Sequence, residues 1–311
     1  LHPANTLSLH DALPILNHEA VVSHTVDMQR CYELETHDRV LQFSSISFDI
    51  SLEQVFSTLG NGSTLVLRDK EVWTPREFAH KCKEVGLTVT NLPTAYWHQV
   101  VQEWANDIEI IPHEKLRLVI VGGEQLLPER VALWEKYPMN KIKLLNAYGP
   151  AETAMTSTLY DISQLRGKNR KYTPVGKPLA NRRIYVLDEK MNLVPIGAKG
   201  ELYIGGVPIA RGYLNRPELT KEKFIKDPYY NGTGDRLYKT GDVGRILLDG
   251  NIEVVGRKDD QIKIRSHRIE IGEIETVISE IKQINNLSVV AKGNAGERSE
   301  EHTSELQSPI R

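Results

Sequence analysis

Residues suited to ligand chemistry cluster in three segments of the chain, and each segment overlaps or follows the end of a short apolar run. The segments are NLPTAYW at 91–97, VGGEQ at 121–125 and NAYGPAET at 146–153. Glycines such as Gly122 and Gly123 have no side chain that would keep a flat ring or a phosphate away from the backbone. The pattern therefore indicates a place where a ligand approaches the main chain closely.

The third segment adds three functional groups. Tyr148 offers an aromatic face, Glu152 a carboxylate suited to a hard cation, and Thr153 a hydroxyl for a phosphate oxygen. Gly-Gly and Tyr-Gly-Pro sequences are also common in turns that bind nothing, and each of them alone favours that explanation. Their occurrence together at the ends of neighbouring strand-like runs favours a ligand site.

Alternating strand-like and helix-like segments position these groups. Apolar runs predict strands, and segments with helical spacing, such as the one capped by Thr74 and opened by Pro75, predict helices. The predicted strands are 40–45, 63–67, 87–92, 116–121 and 141–148, and the predicted helices are 52–60, 75–86, 95–104 and 128–137. Such alternation predicts an α/β fold, a parallel sheet layered with helices. Ligands bind these sheets beyond the carboxyl ends of the strands, where the three segments lie.

A different pattern begins after residue 175. Short β segments at 182–188 and 200–206 contain or are flanked by Gly and Asn, and Asp249-Gly250 is typical of a hairpin turn. We expect a small β-barrel or a distorted sheet here, followed by a helix at 271–283. The predicted division is an α/β core at 16–175, a β-barrel subdomain at 176–258 and the start of an α+β C-terminal lobe at 259–297.

The composition is that of an ordinary soluble globular protein. The 311 residues include 39 Lys and Arg against 41 Asp and Glu, with 40% hydrophobic residues. This length favours two or three lobes, the near-neutral charge argues against a nucleic-acid partner, and no apolar run approaches the roughly 20 residues of a membrane helix. Two cysteines, Cys31 and Cys82, cannot build a disulfide framework and are typical of the reducing cytosol, so we expect a cytoplasmic location.

Both ends of the sequence resemble translated DNA of technical origin. TLSLHDALPI at 6–15 and RSEEHTSELQS at 298–308 resemble the reading frames of two matching adapters used in short-read sequencing. Two long matches at opposite ends make chance a poor explanation. We therefore expect residues 1–15 and 298–311 to be artefacts, and the residues between them to be an internal fragment of a longer gene product.

Five sequence blocks together resemble a known family. They are SFDIS, NAYGPAET, GELYIGGVPIARGYL, YKTGDV and GRKDDQIKIRSHRIEIGEIE, which begin at positions 47, 146, 200, 238 and 256. In order and spacing they resemble the adenylation domains of nonribosomal peptide synthetases, within the adenylate-forming enzymes. The resemblance implies activation of an amino acid with ATP and Mg²⁺ as an aminoacyl-adenylate, then transfer to the phosphopantetheine thiol of a peptidyl carrier protein. A condensation domain is a further implied partner in the parent protein.

The resemblance also implies which residues meet the nucleotide. Tyr148 is expected to stack on adenine and Thr153 to reach the α-phosphate, while Glu152 reaches Mg²⁺. Asp242 is expected to accept both ribose hydroxyls, with Arg257 as its complement. The full nucleotide set is Gly122, Gly123, Asn146, Ala147, Tyr148, Thr153, Asp242 and Arg257.

Asp49, in the FDIS block, matches the carboxylate that holds the α-ammonium group of the substrate. Capping of a helix is an alternative role for an Asp at this position, and the two roles can coexist. Its presence distinguishes the chain from fatty acyl-CoA synthetases and luciferases, whose acids lack that amine. The other pocket residues aligned by the resemblance are Ile50, Glu53, Asn91, Ile120, Gly122, Ala147, Met155 and Thr156.

Glu53 determines the predicted substrate class. We expect an unpaired carboxylate in a mostly apolar pocket, which is costly unless a cation meets it. Gly122 leaves length for an extended side chain. The pattern resembles pockets for ornithine, N-hydroxyornithine, lysine or β-lysine, so we expect a basic substrate. The alternative is a solvated Glu53 on the helix that begins near Ser51.

Two parts of the family's catalytic machinery do not occur in the sequence. No Gly- and Ser-rich phosphate loop precedes residue 39, and no NGKxDR-like lysine precedes the C-terminal adapter-like segment. Lys258 and Lys263 lie at the hinge and in the adjoining strand and are not substitutes for that lysine. Without these donors the developing charge at the phosphates has no counter-ion. We therefore assign no catalytic residue and expect the chain as given to be inactive.

The C-terminal block carries two further expectations. Asp259 matches the hinge about which the C-terminal lobe rotates between adenylation and thioester formation. Ser266 stands where the family has a Gly that lets pantetheine pass, which puts thioester transfer in mild doubt although Ser is still small. Two alternatives to amino-acid activation stay open. One is a stand-alone acyl or aryl acid ligase, which Asp49 opposes, and the other is a nucleotide- or carrier-binding module without activity.

Overall fold

The first part of the chain folds into a seven-stranded sheet. The structure is a computed structural model, and it describes residues 12–165, 171–258, 261–264 and 267–270, with Ile274, Ile278 and Val289. The strands of the sheet are β1 Arg39–Gln42, β2 Thr64–Leu67, β3 Val89–Pro93, β4 Leu118–Gly122, β5 Lys143–Tyr148, β6 Thr158–Asp161 and β7 Lys177–Pro178. The order is β2-β1-β3-β4-β5-β6-β7. The five strands β1–β5 are parallel, as predicted, and the two last strands are antiparallel additions.

Helices cover both faces of this sheet. They are α1 His18–Cys31, α2 Ile50–Gly60, α3 Pro75–Glu84, α4 Thr94–Asn106 and α5 Pro128–Lys136. A further helix, α6 Pro217–Lys223, follows later in the chain and contacts the second sheet. Alternate residues of a strand point to opposite faces. In β4, Val119 and Val121 pack into the core that contains Trp97 and Trp104 of α4. Ile120, on the other face, packs into the core that contains Met28 of α1.

The four helices predicted before residue 140 are confirmed, and their ends follow local chemistry. Thr74 caps α3 by accepting a hydrogen bond from the Glu77 backbone, and the Glu77 carboxylate accepts from the Thr74 backbone, which completes a capping box. Pro75 and Pro128 stand at the first turns of α3 and α5, where a missing N–H costs nothing.

The sequence pattern did not predict helix α1. Asn17 caps it, and its buried residues are Ala20, His24, Asp27 and Met28, which recur at helical spacing along one face. Two of these four are polar, so the apolar periodicity that normally indicates an amphipathic helix is broken. The buried polar groups are themselves informative, because such groups require partners.

The second part of the chain forms an antiparallel sheet. Its strands are β8 Arg182–Leu187, β9 Gly200–Gly206, β10 Phe224–Lys226, β11 Arg236–Ile246 and β12 Ile252–Arg257. The order is β10-β11-β9-β8, with β12 paired to β11, and closure into a barrel stays a prediction. The predicted hairpin turn is confirmed: Gly250 has φ +78°, and the Gly250 N–H donates to the Leu247 carbonyl.

Two further strands, β13 Gln261–Ile264 and β14 His267–Glu270, form an antiparallel pair. The hinge residue Asp259, Ser266 and most of the helix predicted at 271–283 lie outside the described residues. None of the helices in the described part of the chain combines the length and apolar character needed to cross a membrane.

Residues near the start of the described chain run antiparallel to the segment before α6. Pro14 forms a bridge with Tyr213, and the Ile15 N–H donates to the Gly212 carbonyl at 2.8 Å. Ala12 and Leu16 pack against the core of the second sheet. The adapter origin of residues 1–15 and the domain boundaries at 175 and 258 stay predictions.

Candidate functional site

The three segments singled out by their chemistry meet at one edge of the parallel sheet. Strands β3, β4 and β5 are neighbours, with Asn91 paired to Ile120 and Gly122 paired to Ala147. Their carboxyl ends therefore lie side by side, as expected for a parallel sheet. The loops that leave these ends are brought together at the edge where ligands bind in open α/β sheets.

Glycine is required at the end of β4 for two different reasons. A Cβ atom at Gly122 would lie 2.9 Å from the Ala147 carbonyl oxygen and 3.4 Å from the Ala147 Cβ, so the backbones of β4 and β5 approach more closely than a side chain permits. Gly123 has φ +97°, a conformation that L side chains rarely adopt. These two positions leave a side-chain-free surface beside Ala147, as the predicted ring slot requires.

Tyr148, Asp242 and Arg257 come into direct contact although they lie far apart in sequence. The Tyr148 hydroxyl donates to Asp242 Oδ2 at 2.6 Å, and Arg257 Nη1 donates to Asp242 Oδ1 at 2.7 Å. Asp242 and Arg257 are register partners in β11 and β12. Burial and the neighbouring Asp242 charge raise the pKa of Tyr148 well above its usual value, so the phenol stays a donor.

The loop after β5 holds Glu152 in a buried position. Glu152 is 2% exposed, and its Oε1 accepts a hydrogen bond from the Tyr213 hydroxyl at 2.7 Å. The Tyr238 hydroxyl lies 3.3 Å from that of Tyr213. Burial, together with the Glu152 charge, raises the pKa of Tyr213, so this hydroxyl remains protonated beside the carboxylate. The buried Thr153 hydroxyl donates to the Pro150 carbonyl and shares a 2.7 Å hydrogen bond with Ser157.

Asp49 stands at the start of α2, where both of its predicted roles meet. It is half-buried, and its Oδ1 accepts a hydrogen bond from the Ile50 N–H at 2.8 Å. This is the capping role that the sequence left open. A carboxylate has acceptor positions for several donors, so the cap does not exhaust Asp49.

The expectation of an unpaired Glu53 is wrong. Glu53 is 1% exposed and accepts four hydrogen bonds. Oε1 accepts from Tyr32 at 2.6 Å and from Asn91 at 2.9 Å. Oε2 accepts from His24 at 2.8 Å and from Thr156 at 2.8 Å. The prediction failed because two of the donors, His24 and Tyr32, lie on or next to α1, a helix that the sequence pattern did not predict. The burial of Glu53 also excludes the alternative of a solvated side chain.

The hydrogen bonds around Glu53 stabilise its charged form. Burial alone would raise the pKa of Glu53, but the hydrogen bonds from His24, Tyr32 and Thr156 outweigh it and lower the pKa below its usual value. Three predicted pocket residues, Glu53, Asn91 and Thr156, are therefore joined in one cluster. This cluster is a polar wall and differs from the apolar surroundings that the sequence predicted.

A second group of buried residues continues this cluster. His24 Nδ1 lies 2.8 Å from Arg182 Nη2, and Arg182 Nη1 donates to Asp27 Oδ2 at 3.1 Å. The Arg182 and Asp27 side chains are 0% and 5% exposed. The sequence did not predict four residues of these clusters as site residues: His24, Tyr32, Arg182 and Tyr213. For α1, the polar residues His24 and Asp27 on its buried face could have indicated a buried polar cluster.

Four further predicted site residues lie on β4, on β5, in the segment before β6 and at the start of α2. Ile120 is buried in β4, and Met155 is buried with φ +67° directly after Ala154, which also has positive φ. Ile50 is half-buried in the first turn of α2. Asn146 uses its side chain within the protein, because Nδ2 donates to the Pro174 carbonyl at 2.8 Å.

Glu152 is the candidate metal ligand in this site. Among the described residues there is no group of three or more His, Cys, Asp or Glu side chains arranged to hold a metal ion. Glu152 offers a buried carboxylate, which suits a hard cation that takes its other ligands from phosphates and water. The donor chemistry therefore fits Mg²⁺ bound together with a nucleotide.

The fold is that of an α/β protein whose candidate ligand-binding groups lie at the carboxyl edge of a parallel sheet. The sequence profile of the AMP-binding enzymes matches residues 15–214. The chain therefore belongs to the AMP-binding enzyme family.

The chain is also similar to individual proteins of known name. The chain is 40% identical over 279 residues to one of the linear gramicidin synthase proteins of Brevibacillus parabrevis, covering 89% of this chain and 3% of that protein. It is 37% identical to tyrocidine synthase 1 of the same species, covering 89% of this chain and 24% of that protein. The solved structure of NpsA-ThdA, an artificially fused adenylation–PCP di-domain NRPS from Klebsiella oxytoca, matches with a TM-score of 0.77 at 25% identity, covering 90% of this chain and 50% of that one. The chain thus spans a small part of the synthetases that it resembles.

Proposed function

We propose that this chain is the nucleotide- and amino-acid-binding part of an adenylation domain of a nonribosomal peptide synthetase. In the proposed reaction a carboxylate oxygen of an amino acid attacks the α-phosphorus of ATP. A new oxygen–phosphorus bond forms, the bond to pyrophosphate breaks, and an aminoacyl-adenylate results. The phosphopantetheine thiol of a peptidyl carrier protein then attacks the acyl carbon, AMP leaves, and the amino acid continues as a thioester toward a condensation domain.

The contact of Tyr148 with Asp242 and Arg257 carries this proposal. Asp242 is held from two sides by neutral and cationic donors, and a carboxylate with about four acceptor positions retains capacity for two vicinal hydroxyls of a ribose. Tyr148 ends β5 and directly follows Ala147, the register partner of Gly122. In a bound nucleoside, the planar base would meet the aromatic face of Tyr148, and the ribose joined to that base would meet the carboxylate of Asp242.

The other nucleotide roles are those that the family resemblance implies. Glu152 would hold Mg²⁺, which neutralises phosphate charge in the transition state. The Thr153 hydroxyl, on the same turn, would approach the α-phosphate after releasing the Pro150 carbonyl. Asp49 would hold the α-ammonium of the substrate while it caps α2. We also retain the predicted domain division, a hinge at Asp259 and a cytoplasmic location as parts of this proposal.

A basic side chain remains the substrate class we favour, for a different reason from the one that the sequence suggested. The hydrogen bonds of Glu53 are satisfied, but all four of its direct partners are neutral donors, because a His24 ring that accepts from Arg182 at Nδ1 carries its single ring hydrogen on Nε2. Arg182 is bound to this group through His24, and it is shared with Asp27. Two carboxylates thus face one guanidinium inside the protein. An excess negative charge in a wall of low dielectric favours a cationic side chain such as that of ornithine, N-hydroxyornithine, lysine or β-lysine.

Amino-acid-dependent exchange of radioactive pyrophosphate into ATP tests the proposed function. The protein for this test is the polypeptide encoded by the uninterrupted reading frame that contains residues 16–297. We expect exchange with basic amino acids and loss of exchange in Asp49→Ala, while Glu218→Gln, an exposed change on α6, serves as the matched control. The given chain is assayed in parallel, and we expect no exchange from it.

Three outcomes of this assay would contradict parts of the proposal. Exchange that depends on fatty or aryl acids would replace amino-acid activation with acyl or aryl ligation. Exchange with neutral amino acids alone would remove the basic substrate class. A parent polypeptide that binds ATP or carrier protein without any exchange would leave a binding module.

A further inference from the structure

Two of the four donors to Glu53, His24 and Tyr32, lie outside the set of pocket residues that the resemblance implies. His24 is 0% exposed and uses both ring nitrogens, Nε2 toward Glu53 and Nδ1 toward Arg182, each at 2.8 Å. Three elements are joined in this way, because His24 is on α1, Glu53 on α2 and Arg182 at the start of β8. His24 therefore connects the predicted substrate pocket to the second sheet.

Donor chemistry fixes the direction of this chain of hydrogen bonds. A guanidinium can only donate, so His24 Nδ1 must accept from Arg182. The ring hydrogen is then on Nε2, which donates to Glu53 Oε2. Asp27 Oδ2 accepts a hydrogen bond from Nη1, the other terminal nitrogen of Arg182, and so holds the guanidinium in place. The tautomer of His24 is thus set by Arg182, and the donor that His24 presents to Glu53 is set with it.

We propose that His24 is a specificity-determining positioning residue: held by Arg182, it fixes the rotamer of Glu53 and so determines how the carboxylate charge is presented to the substrate side chain. This inference rests on the proposed function, because it concerns the choice among amino acids. Each oxygen of Glu53 has two donors, and His24 supplies one of the two on Oε2. Removal of His24 leaves Oε2 with Thr156 alone, so three of the four donors remain and the carboxylate is held less firmly.

Two substitutions of similar size separate positioning from simple packing. His24→Gln can present an amide N–H to Glu53 and an amide oxygen to Arg182, so it preserves the direction of the hydrogen bonds. His24→Leu fills a similar volume but can do neither. Val131→Ala is the packing control, because Val131 is a buried residue of α5 in the separate apolar core that contains Trp97 and Trp104.

Steady-state pyrophosphate exchange of the parent polypeptide measures the effect. The substrates are ornithine and lysine against their neutral isosteres norvaline and norleucine. We expect His24→Leu to raise KM for the basic substrates about tenfold, as is typical of coupled residues in one buried network, with kcat for the neutral isosteres unchanged. His24→Gln should restore most of the preference. Val131→Ala should lower the melting temperature and leave the ratio of basic to neutral kcat/KM as it is.

Two results would overturn the inference while the proposed function stands. One is an unchanged basic-to-neutral ratio in His24→Leu, and the other is an equal change of that ratio in Val131→Ala. Absence of exchange with every amino acid in the unmodified parent would instead contradict the proposed function. A separate measurement on the given chain does not depend on activity: nitrogen-15 NMR should show Nε2 of His24 protonated and Nδ1 as the acceptor, and the opposite tautomer would refute the arrangement.

Discussion

Tyr148 and Asp242 lie 94 positions apart and are joined by a 2.6 Å hydrogen bond from the phenol hydroxyl to the carboxylate. Tyr148 ends the last parallel strand of the first sheet, whereas Asp242 lies in the longest strand of the second. The bond therefore ties the two sheets together at the edge where the glycine-rich loops emerge. A ligand at this edge would contact both sheets at once.

Asp242→Asn should weaken ATP binding by about tenfold or more, because an amide offers one acceptor oxygen in place of two and turns its N–H₂ toward donors. Tyr148→Phe should have a smaller effect, since the ring that we propose to stack on adenine remains. Isothermal titration with ATP and Mg²⁺ measures both variants of the parent polypeptide, with Glu218→Gln as control. Equal affinity in Asp242→Asn and in the control would contradict the ribose role of Asp242.

Gly122→Ala should destabilise the fold by about 2 kcal/mol, which is typical when an added methyl group meets fixed backbone. The new Cβ would lie 2.9 Å from the Ala147 carbonyl oxygen, so strands β4 and β5 must move apart. Gly256→Ala is the matched control, because a Cβ there has no neighbouring atom within 4 Å. Urea unfolding of the given chain compares the two, and equal midpoints would contradict the close approach of the two strands.

The alternation of strands and helices could be predicted because it depends on local patterns. Strands β1–β5 and helices α2–α5 follow short-range periodicity, capping residues and proline positions, and the parallel sheet follows from their order. Helix α1 could not be predicted in this way, because its buried face is half polar. Its partners Glu53 and Arg182 lie on distant elements, and nothing in the local sequence identifies them.

The same limit explains the error at Glu53. The sequence placed this carboxylate in the pocket by alignment with motif positions, and the structure brings Asn91 and Thr156 beside it. An alignment of pocket positions leaves out the residues behind the pocket, so His24 and Tyr32 were not considered as donors. The juxtaposition of Tyr148 with Asp242 and Arg257 was implied by resemblance, and local pattern alone would have left Asp242 as a turn residue.

Asp38 and Arg117 should make stability depend on pH. Burial raises the pKa of Asp38, but the hydrogen bonds from Arg117, Thr88 and the Glu35 backbone outweigh it and hold the pKa below its usual value of 3.8. A carboxylate whose pKa is lowered by folding contributes stability above the unfolded value, and this contribution is lost as the pH falls through the folded pKa. Asp38→Asn should therefore cost about 2 kcal/mol at pH 7 and progressively less as the pH falls from 3.8 through the lowered pKa of the folded state.

Urea unfolding at a series of pH values checks this expectation, and the difference in free energy of unfolding between the original chain and Asp38→Asn is the quantity measured. Glu218→Gln is the control, because the Glu218–Lys221 pair is exposed to solvent and surface pairs contribute little. A difference that stays constant from pH 7 to pH 3 would mean that the charge of Asp38 does not stabilise the fold.

Arg182 and Asp27 should show strong coupling in a double-mutant cycle. Their side chains are 0% and 5% exposed, and Nη1 of Arg182 lies 3.1 Å from Oδ2 of Asp27. Arg182→Met alone would leave a buried carboxylate without its cation, which costs about 3 kcal/mol in comparable cases. Replacing both residues, with Asp27→Leu added, removes the two charges together and should cost clearly less than the sum of the single changes. Urea unfolding of the four chains gives the coupling energy. Additive costs would mean that the two charges do not depend on each other. Strong coupling would mean that Asp27 stabilises the buried Arg182, which in turn donates to His24.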